Sequence, residues 1–273
     1  MFVYRENDGV GYYCSTLLHS IHAFSTRKGG VSAFPETAGL NLAFGRGDED
    51  ATVLANLQRF ATAVGIGAER VISLPQVHGT DVLPVTPSDA GRGYYKPAQG
   101  KGDGYMTEHC GIPLGVKSAD CVPVLFEARD ENDCVLAIAA VHAGWRGTAK
   151  GIARNAVKAL RAACKDAKIY AAIGPCISAC CFEVGRDCVD VFEQNLGAEL
   201  VQKCFRKAEN GKYYGDLIQV NRLLLNGAGV TDAQIDAANI CTCCHPEQFF
   251  SHRYAAKYTE GKRGSMLSVI CKK

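Results

Sequence analysis

The sequence lacks any apolar run long enough to cross a membrane, and it has no large excess of one charge. Its longest apolar segments, such as 135–141, have the length of a strand, whereas a membrane span needs about 18 apolar residues. Lys and Arg number 30 against 28 Asp and Glu, and a net charge of +2 excludes broad electrostatic attraction to nucleic acid or anionic membranes. Arg5, Glu6 and Asp8 interrupt the region where a secretory signal would be apolar, so we expect a cytoplasmic protein with reduced thiols.

The chain also lacks internal repeats and low-complexity linkers. Hydrophobic residues make up 47% of its 273 residues, which is enough to bury a core without disulfides. The Gly-rich stretch 88–104 lies between strand-like segments and is predicted to be one long surface loop rather than a linker. We therefore predict a single domain over residues 1–273.

Hydrophobic periodicity predicts strands and helices that alternate only in places. This pattern favours a mixed α/β or α+β domain over a doubly wound sheet. The final segment SMLSVICKK is expected to form an edge or closing strand. The other predicted elements are helices over 48–64, 148–164, 184–196 and 216–225, and strands over 71–74, 82–85, 114–127 (interrupted at SADC), 134–141 and 168–173.

Three segments place a metal-binding side chain where a strand runs into a turn. His78 stands in PQVHGTDV, Cys121 follows Asp120 in GVKSADCVPVLF, and His142 ends the strand of AAVHAGWRG. Two imidazoles and one thiolate suit Zn²⁺ and leave a fourth position open for water. No local spacing such as C-x2-C or H-E-x-x-H links the three residues. The same residues equally fit a cysteine nucleophile, with Cys121 activated by His142 or His78.

The segment HAGWRGTAKGI has a second candidate use as an anion site. Glycines entering a helix expose backbone N–H groups at the positive end of its dipole, and Arg146 adds a bidentate donor for phosphate. The segment does not have the spacing of a Walker A loop. A plain helix start with two flexible glycines is the alternative interpretation.

Cysteine is frequent, with 14 residues, and two segments concentrate it. GPCISACCFEVG contains Cys176, Cys180 and Cys181, and ICTCCHP contains three cysteines and a histidine. We interpret most cysteines as small buried packing residues. The second segment has the residue types of a metal site, but neighbouring side chains at a strand end alternate in direction and would not all face one ion.

Four motifs, read together, resemble the YfiH-type laccase-domain family, whose members are labelled polyphenol oxidases or purine nucleoside phosphorylases. They are QVHGTDV, GVKSADCVPVLF, AAVHAGWRGTAKGI and AAIGPCISACCFEVG, and the match extends from TRKGGVS near residue 26 to SHR near residue 251. The resemblance implies a single layered α/β/β/α domain and a zinc ion held by His78, Cys121 and His142. It also implies phosphorolysis of adenosine, inosine and methylthioadenosine, together with deamination of adenosine.

The family chemistry suggests roles for further residues. Cys121 and Asp120 are the catalytic candidates, and in deamination Asp120 would carry a proton while water attacks the purine C6. Motif match and charge make Arg27, Asn41 and Arg146 the candidates for holding phosphate or ribose. The segment SHRYAAKYTEGKRG departs from the family pattern SYRRDGxTGR, although its Arg253 aligns, and either Lys262 or Arg263 takes the later basic position.

Two other activities are alternatives to nucleoside phosphorolysis. A multicopper polyphenol oxidase fits poorly, because seven histidines without an H-x-H pair are too few for a trinuclear copper centre, so copper is less expected than zinc. An amidase that edits cell-wall precursors would use Cys121 or a zinc-activated water on an amide. The expected partners are purine nucleosides and phosphate, with no nucleic acid and no membrane, and the sequence does not indicate an oligomeric state.

Overall fold

The computed structural model describes all residues, 1–273, as strands, helices and connecting loops. In chain order the strands are β1 (Phe2–Asn7), β2 (Val10–Ser15), β3 (Ile21–Ser25), β4 (Val82–Pro84), β5 (Gly104–Thr107), β6 (Leu114–Ser118), β7 (Val122–Arg129), β8 (Val135–Ala143), β9 (Lys168–Ile173), β10 (Glu183–Val184), β11 (Phe205–Lys207), β12 (Tyr213–Gly215), β13 (Ile235–Ala237) and β14 (Met266–Cys271). The helices are α1 (Asp50–Val64), α2 (Trp145–Ala149), α3 (Ile152–Ala163), α4 (Arg186–Leu196), α5 (Ala198–Cys204), α6 (Leu217–Gly227) and α7 (His252–Tyr258). None of the helices is both long and apolar enough to cross a membrane.

The strands form two large sheets and one small one. The first large sheet is antiparallel throughout, in the order β1-β2-β3-β14-β6. The second has the order β13-β9-β7-β8-β5-β4 and is mixed, because the two outer pairs are parallel and the three inner pairs antiparallel. A small antiparallel sheet, β10-β12-β11, lies apart from both.

Three apolar clusters show how the layers stack. Between the two large sheets lies a buried cluster that includes Phe24 and Ile270 from the first sheet and Leu125 from the second. On the other face of the first sheet, α1 buries Leu57 and Phe60. On the outer face of the second sheet, a larger cluster gathers residues of α2, α3, α4 and α6. The order helix, sheet, sheet, helices confirms the predicted mixed α/β class and its α/β/β/α layering, while the single-domain assignment stays a prediction.

Several predicted elements need correction. Residues 71–74 do not form a strand and contribute only a bridge from Ile72 to Leu114. The helix predicted over 148–164 is two helices, because Gly151 adopts the left-handed region with φ of 83° and ends the α2 segment before α3 begins. The helix predicted from 184 begins at Arg186, after β10. The last strand is not an edge strand, because β14 pairs with β3 on one side and β6 on the other.

The stretch 88–104 is not wholly a surface loop. Tyr94 is buried and donates its hydroxyl to the carbonyl of Leu42 at 2.5 Å. Asp103 has no exposed surface at all. The stretch therefore contributes both to the core and, through Asp103, to the site described next.

Candidate metal centre

His142 is fixed by Asp103 at the end of the central strand β8. The pairing of β5 with β8 sets Gly104 opposite Val141, and this register brings Asp103 next to His142. The backbone N–H of His142 donates to the carbonyl of Asp103 at 2.7 Å, and Nδ1 of His142 lies 2.8 Å from Oδ1 of Asp103. Because Nδ1 contacts the carboxylate, Nε2 is the ring nitrogen of His142 that is available to coordinate a metal.

The same carboxylate holds the turn that carries His78. Asp103 accepts the backbone N–H groups of Val77, His78 and Gly79 at 3.0, 2.9 and 2.7 Å. His78 has a φ of 58°, an uncommon value for a residue with a side chain, and these three bonds stabilise it. One buried carboxylate thus orients both histidines.

Cys121 stands in the turn between β6 and β7, next to Asp120. Asp120 has a φ of 93°, and its carboxylate accepts the hydroxyl of Thr242 at 2.6 Å and the backbone N–H of Arg253 at 2.7 Å. Its own carbonyl accepts the N–H of Ile177 at 2.9 Å. These contacts from distant segments hold the turn that directs Cys121 toward the histidines.

The three predicted ligands converge. The ligand atoms of His78, Cys121 and His142 all lie within 4.8 Å of one another, with 3.9 Å between Sγ of Cys121 and Nε2 of His78. The two imidazole rings meet edge to face with centroids 4.9 Å apart. Two imidazoles and a thiol, with a carboxylate behind one of the imidazoles, are the donor set and supporting contact of a catalytic metal site. The residues fit a metal ion with one open position.

The charges of the site favour a thiolate. Burial opposes ionisation of Cys121, but the imidazoles of His142 and His78 lower its pKa to about 6. Burial alone would lower the pKa of His142, yet Cys121 and the Asp103 carboxylate raise it to about 9. The thiolate is the form that binds a metal and also the form that acts as a nucleophile, so both interpretations of Cys121 rest on this arrangement.

Two clefts open onto the candidate ligands: His78 and Cys121 line both clefts, and His142 lines the first only. The cationic cleft, of about 340 Å³, includes Arg46, Lys117 and Arg263 in its lining and no acidic side chain. The second cleft, of about 480 Å³, we call the apolar cleft for its wall of Trp145, Phe182 and other apolar residues. Its lining also contains ionisable side chains: Asp120, Asp187, His252, Arg253 and Arg263. Four residues line both clefts and mark their junction: His78, Ala119, Cys121 and Arg263.

Gly144 lets His78 and His142 approach each other. A Cβ atom on Gly144 would lie 2.5 Å from Cδ2 of His78 and 3.3 Å from Cε1 of His142, and its φ of −61° is open to any residue. Gly144→Ala is therefore expected to displace His78 by steric overlap alone and to weaken metal affinity about 10- to 100-fold, the usual range for disturbed supporting contacts. Competition with a chelator would measure this, and an unchanged affinity would contradict the assigned ligand geometry.

The predicted substrate-binding residues lie outside both clefts. Arg27 donates to the carbonyls of Ala38 and Pro246 and stacks over Phe250. Asn41 is fully buried and bonds Asp48, Ala43 and Ser265. Arg146 is exposed and lies over the ring of Trp145. Their role in substrate binding stays a prediction.

Residues that the sequence did not single out also belong to the site. Asp103 and Arg46 lie in segments without a recognisable motif, and Lys117 lies in the motif GVKSADCVPVLF, where Asp120 and Cys121 alone were singled out. Of the two residues considered for the later basic position, Arg263 lines both clefts and Lys262 lines neither. Arg253, which aligns with the family, donates to the carbonyls of Cys181 and Glu183 at 2.8 Å each.

Stacked sheets flanked by helices, with a His–Cys–His ligand set between two clefts, define a layered α/β protein with a metal-type site. The model of the family described as multi-copper polyphenol oxidoreductase laccase matches residues 21–273. The chain belongs to this family, which confirms the resemblance carried by its motifs.

Named relatives and a solved structure share this fold along nearly the whole chain. Purine nucleoside phosphorylase YlmD of Geobacillus stearothermophilus is 37% identical over 255 residues, which cover 92% of this chain and 89% of the relative. The crystal structure of YlmD from that organism has a TM-score of 0.88 and 33% identity, covering 100% of both chains. A protein named adenosine deaminase RL5, from an unknown prokaryotic organism, is 32% identical over 242 residues, 86% of this chain and 89% of that one.

Proposed function

We propose that this protein is a zinc-dependent purine nucleoside phosphorylase that acts on adenosine, inosine and methylthioadenosine and also deaminates adenosine. The observation that carries the proposal is the position of His78 and Cys121 at the junction of the cationic and the apolar cleft, with His142 beside them in the lining of the cationic cleft. A nucleoside and phosphate need such a division, because one reactant is an anion and the other carries a flat, largely apolar base. The names of the relatives support the same chemistry.

The cationic cleft suits phosphate. Nε of Arg263 and Oγ of Ser73 are buried there without a hydrogen-bond partner in the protein. The guanidinium of Arg263 in the lining of this cleft is the kind of donor that pairs with a phosphate in two parallel bonds. Lys117 and Arg46 add positive charge from the neighbouring wall.

The apolar cleft suits the purine base. Its walls include Trp145, Ile177, Phe182 and Leu217, which offer flat and branched apolar surface against a ring. Asp120 lines this cleft beside Cys121 and would supply a carboxylate next to the base. The sugar would then lie between the clefts, close to the ligand set.

The residues of this chain have defined parts in the proposed reactions. In phosphorolysis a phosphate oxygen forms a bond to the anomeric carbon, the bond to the base breaks, and the base nitrogen keeps the electron pair and takes up a proton. Arg263 and Lys117 would orient the phosphate and balance its charge. In deamination Asp120 would move a proton between the incoming water and the leaving ammonia. Zinc held by His78, Cys121 and His142 would supply Lewis-acid polarisation of an oxygen at the junction.

Product analysis with adenosine tests the proposal directly. With phosphate present we expect adenine and ribose 1-phosphate, and without phosphate we expect inosine from the same preparation. Neither product, combined with hydrolysis of a muropeptide precursor, would replace the proposal with the cell-wall amidase. Stoichiometric copper with a blue absorption band and oxidation of phenols would replace it with the polyphenol oxidase.

The open junction favours zinc over a blue-copper centre. A blue-copper site combines two histidines and a cysteine with a weak axial ligand such as Met or Gln. Gln76, which lines the cationic cleft, has the side chain of such an axial ligand. Its amide nitrogen donates to the carbonyl of Lys117 and its amide oxygen accepts the N–H of Lys117, both at 2.7 Å. Two of the three ligands, His78 and Cys121, instead face both clefts. This is the arrangement expected of a metal ion that contacts the substrate.

Lys117 gives the phosphate site an expected pH dependence. Burial, together with the charge of Arg46, lowers its pKa to about 8. Below that pH the amine is protonated and attracts phosphate, and above it the charge is lost, so KM for phosphate should rise as pH increases through about 8. Lys117→Gln should raise KM for phosphate about 10- to 100-fold at neutral pH, the value of one charged hydrogen bond.

The matched control for this prediction is Lys117→Arg, which keeps its charge over the whole range and should remove the rise in KM above pH 8. Initial rates at varied phosphate and fixed adenosine would measure the effect, while KM for adenosine should stay within a factor of two or so. A phosphate KM that does not respond to Lys117→Gln would remove this residue from the phosphate site.

A further inference from the structure

Four cysteines from two separate loops converge on one point outside the site described above. Cys180 and Cys181 lie in the turn after β9, and Cys241 and Cys244 lie in the turns after β13. The Sγ atom of Cys244 is 3.5 Å from that of Cys180 and 3.4 Å from that of Cys181, and all four sulfurs lie within 4.8 Å of one another. We call these four residues the four-cysteine cluster.

The spacing of the sulfurs matches ligands around a single ion. Zinc binds four thiolates tetrahedrally at about 2.3 Å, which places the sulfurs about 3.8 Å apart. A disulfide joins only two sulfurs, at about 2.05 Å. Here the sulfur of Cys244 lies close to two partners at once, and no pair of the four sulfurs is more than 4.8 Å apart. The cluster is therefore shaped around a shared centre.

The local backbone supports thiolates at this place. Cys241 and Cys244 have the C-x2-C spacing common in structural zinc sites. The backbone N–H of Ser178 donates to Sγ of Cys241 at 3.4 Å.

The cysteines of these loops are not separated by the alternation of side chains along a strand. Neighbouring side chains point to opposite faces only in an extended strand. Residues 242–244 and 179–181 are turns, and only Cys241 makes a bridge, to Cys176. Adjacent cysteines can therefore face the same point.

We infer that the four-cysteine cluster binds one Zn²⁺ ion as a structural site, separate from the His78–Cys121–His142 site. The inference stands on the convergence of four sulfurs and is independent of the proposed enzymatic activity. Two thiol-bearing loops far apart in sequence would be joined by the ion, in the way that structural zinc sites replace a larger core or a disulfide.

The ion would also steady the turn that carries Asp120. Thr242, inside the second cysteine loop, donates to Asp120, and the backbone N–H of Arg253 donates to its other carboxylate oxygen. The Arg253 guanidinium in turn bonds the carbonyl of Cys181. Fixing the two loops to each other therefore fixes both supports of Asp120, so the four-cysteine cluster acts as a positioning device for the neighbouring site.

Metal content of purified protein tests the inference. The variant Cys180→Ser with Cys244→Ser should contain one zinc per chain fewer than the wild type. The matched control, Cys110→Ser with Cys134→Ser, removes two exposed thiols outside the cluster and should keep the full zinc content. Equal zinc in the wild type and the first variant would overturn the inference, as would iron in place of that zinc.

A second measurement covers the case in which the double serine variant does not fold. Cobalt added to the metal-free His142→Ala protein should give the intense thiolate-to-cobalt charge-transfer absorption of a four-sulfur site. A spectrum without such absorption would overturn the inference. A third measurement is a thiol titration of wild-type protein that has been unfolded and freed of zinc without any reducing agent. It should find all 14 cysteines as free thiols. A count of 12 would identify a disulfide and would also overturn the inference.

Discussion

Replacing His142 with alanine is expected to remove the metal from the His78–Cys121–His142 site and to lower turnover of adenosine at least about 1000-fold. A bound metal contributes several kcal/mol to the barrier of such a reaction, and 1000-fold corresponds to about 4 kcal/mol. The protein should still fold, because β8 keeps its neighbours β7 and β5, and Asp103 keeps three backbone donors. Metal analysis and initial rates with adenosine, with and without phosphate, would measure both effects.

The control for this prediction is His109→Ala, which removes an exposed histidine outside both clefts. It should keep wild-type metal content and activity. Circular dichroism would check that the His142 variant retains its secondary structure. Full activity of a folded His142→Ala protein would exclude every mechanism in which this histidine holds a metal or activates Cys121.

The predicted ligands could be found from the sequence because each carries a local signal. His78, Cys121 and His142 stand where a strand meets a turn, and Gly residues beside the histidines mark sharp backbone changes. Their convergence could not be calculated from spacing, because it depends on which strands become neighbours. The family resemblance supplied that step, and the clustering of the ligand atoms in the structure supports it.

Asp103 has no such signal. It lies between Gly102 and Gly104 in a stretch that composition describes as a loose loop. Its burial follows from the register of β5 against β8, which sets Gly104 opposite Val141 and so brings Asp103 to His142. Strand register between distant segments is a property of the folded chain, and no local pattern in the loop encodes it.

The layered fold was predictable at the level of class but not at the level of strand order. The segment 266–271 is fully buried, as expected of a strand, yet its neighbours are 21–25 and 114–118. Because these partner strands are remote in sequence, the residues of 266–271 alone do not show whether the strand is an inner strand or an edge strand. The break between α2 and α3 did have a signal, since Gly151 lies at the change, but the apolar stripe continues across it.

Substituting Asp103 is expected to have the largest effect on stability of any single change near the site. Its buried carboxylate accepts three backbone N–H groups from the partly exposed turn of His78 and contacts Nδ1 of the buried His142. Asp103→Ala would leave the buried Nδ1 of His142 unpaired and would release the three N–H groups of the turn, which we expect to cost about 3 kcal/mol in the free energy of unfolding. Urea unfolding of metal-free protein would measure this loss separately from the contribution of bound metal.

The variant Asp103→Asn separates the structural role from the positioning of the metal ligands. Asn keeps the volume and one accepting oxygen, so it should destabilise less than Ala. Its NH2 group donates and cannot accept, so either the contact with His142 or the bonds to the turn are lost. Metal affinity should therefore fall about 10- to 100-fold even where the protein remains folded. Asp81→Asn, which changes an exposed carboxylate in the same region, is the control and should alter neither quantity. If Asp103→Asn bound metal as tightly as the wild type, the carboxylate would be a support of the fold alone, and orientation of His142 would have to come from its backbone contact.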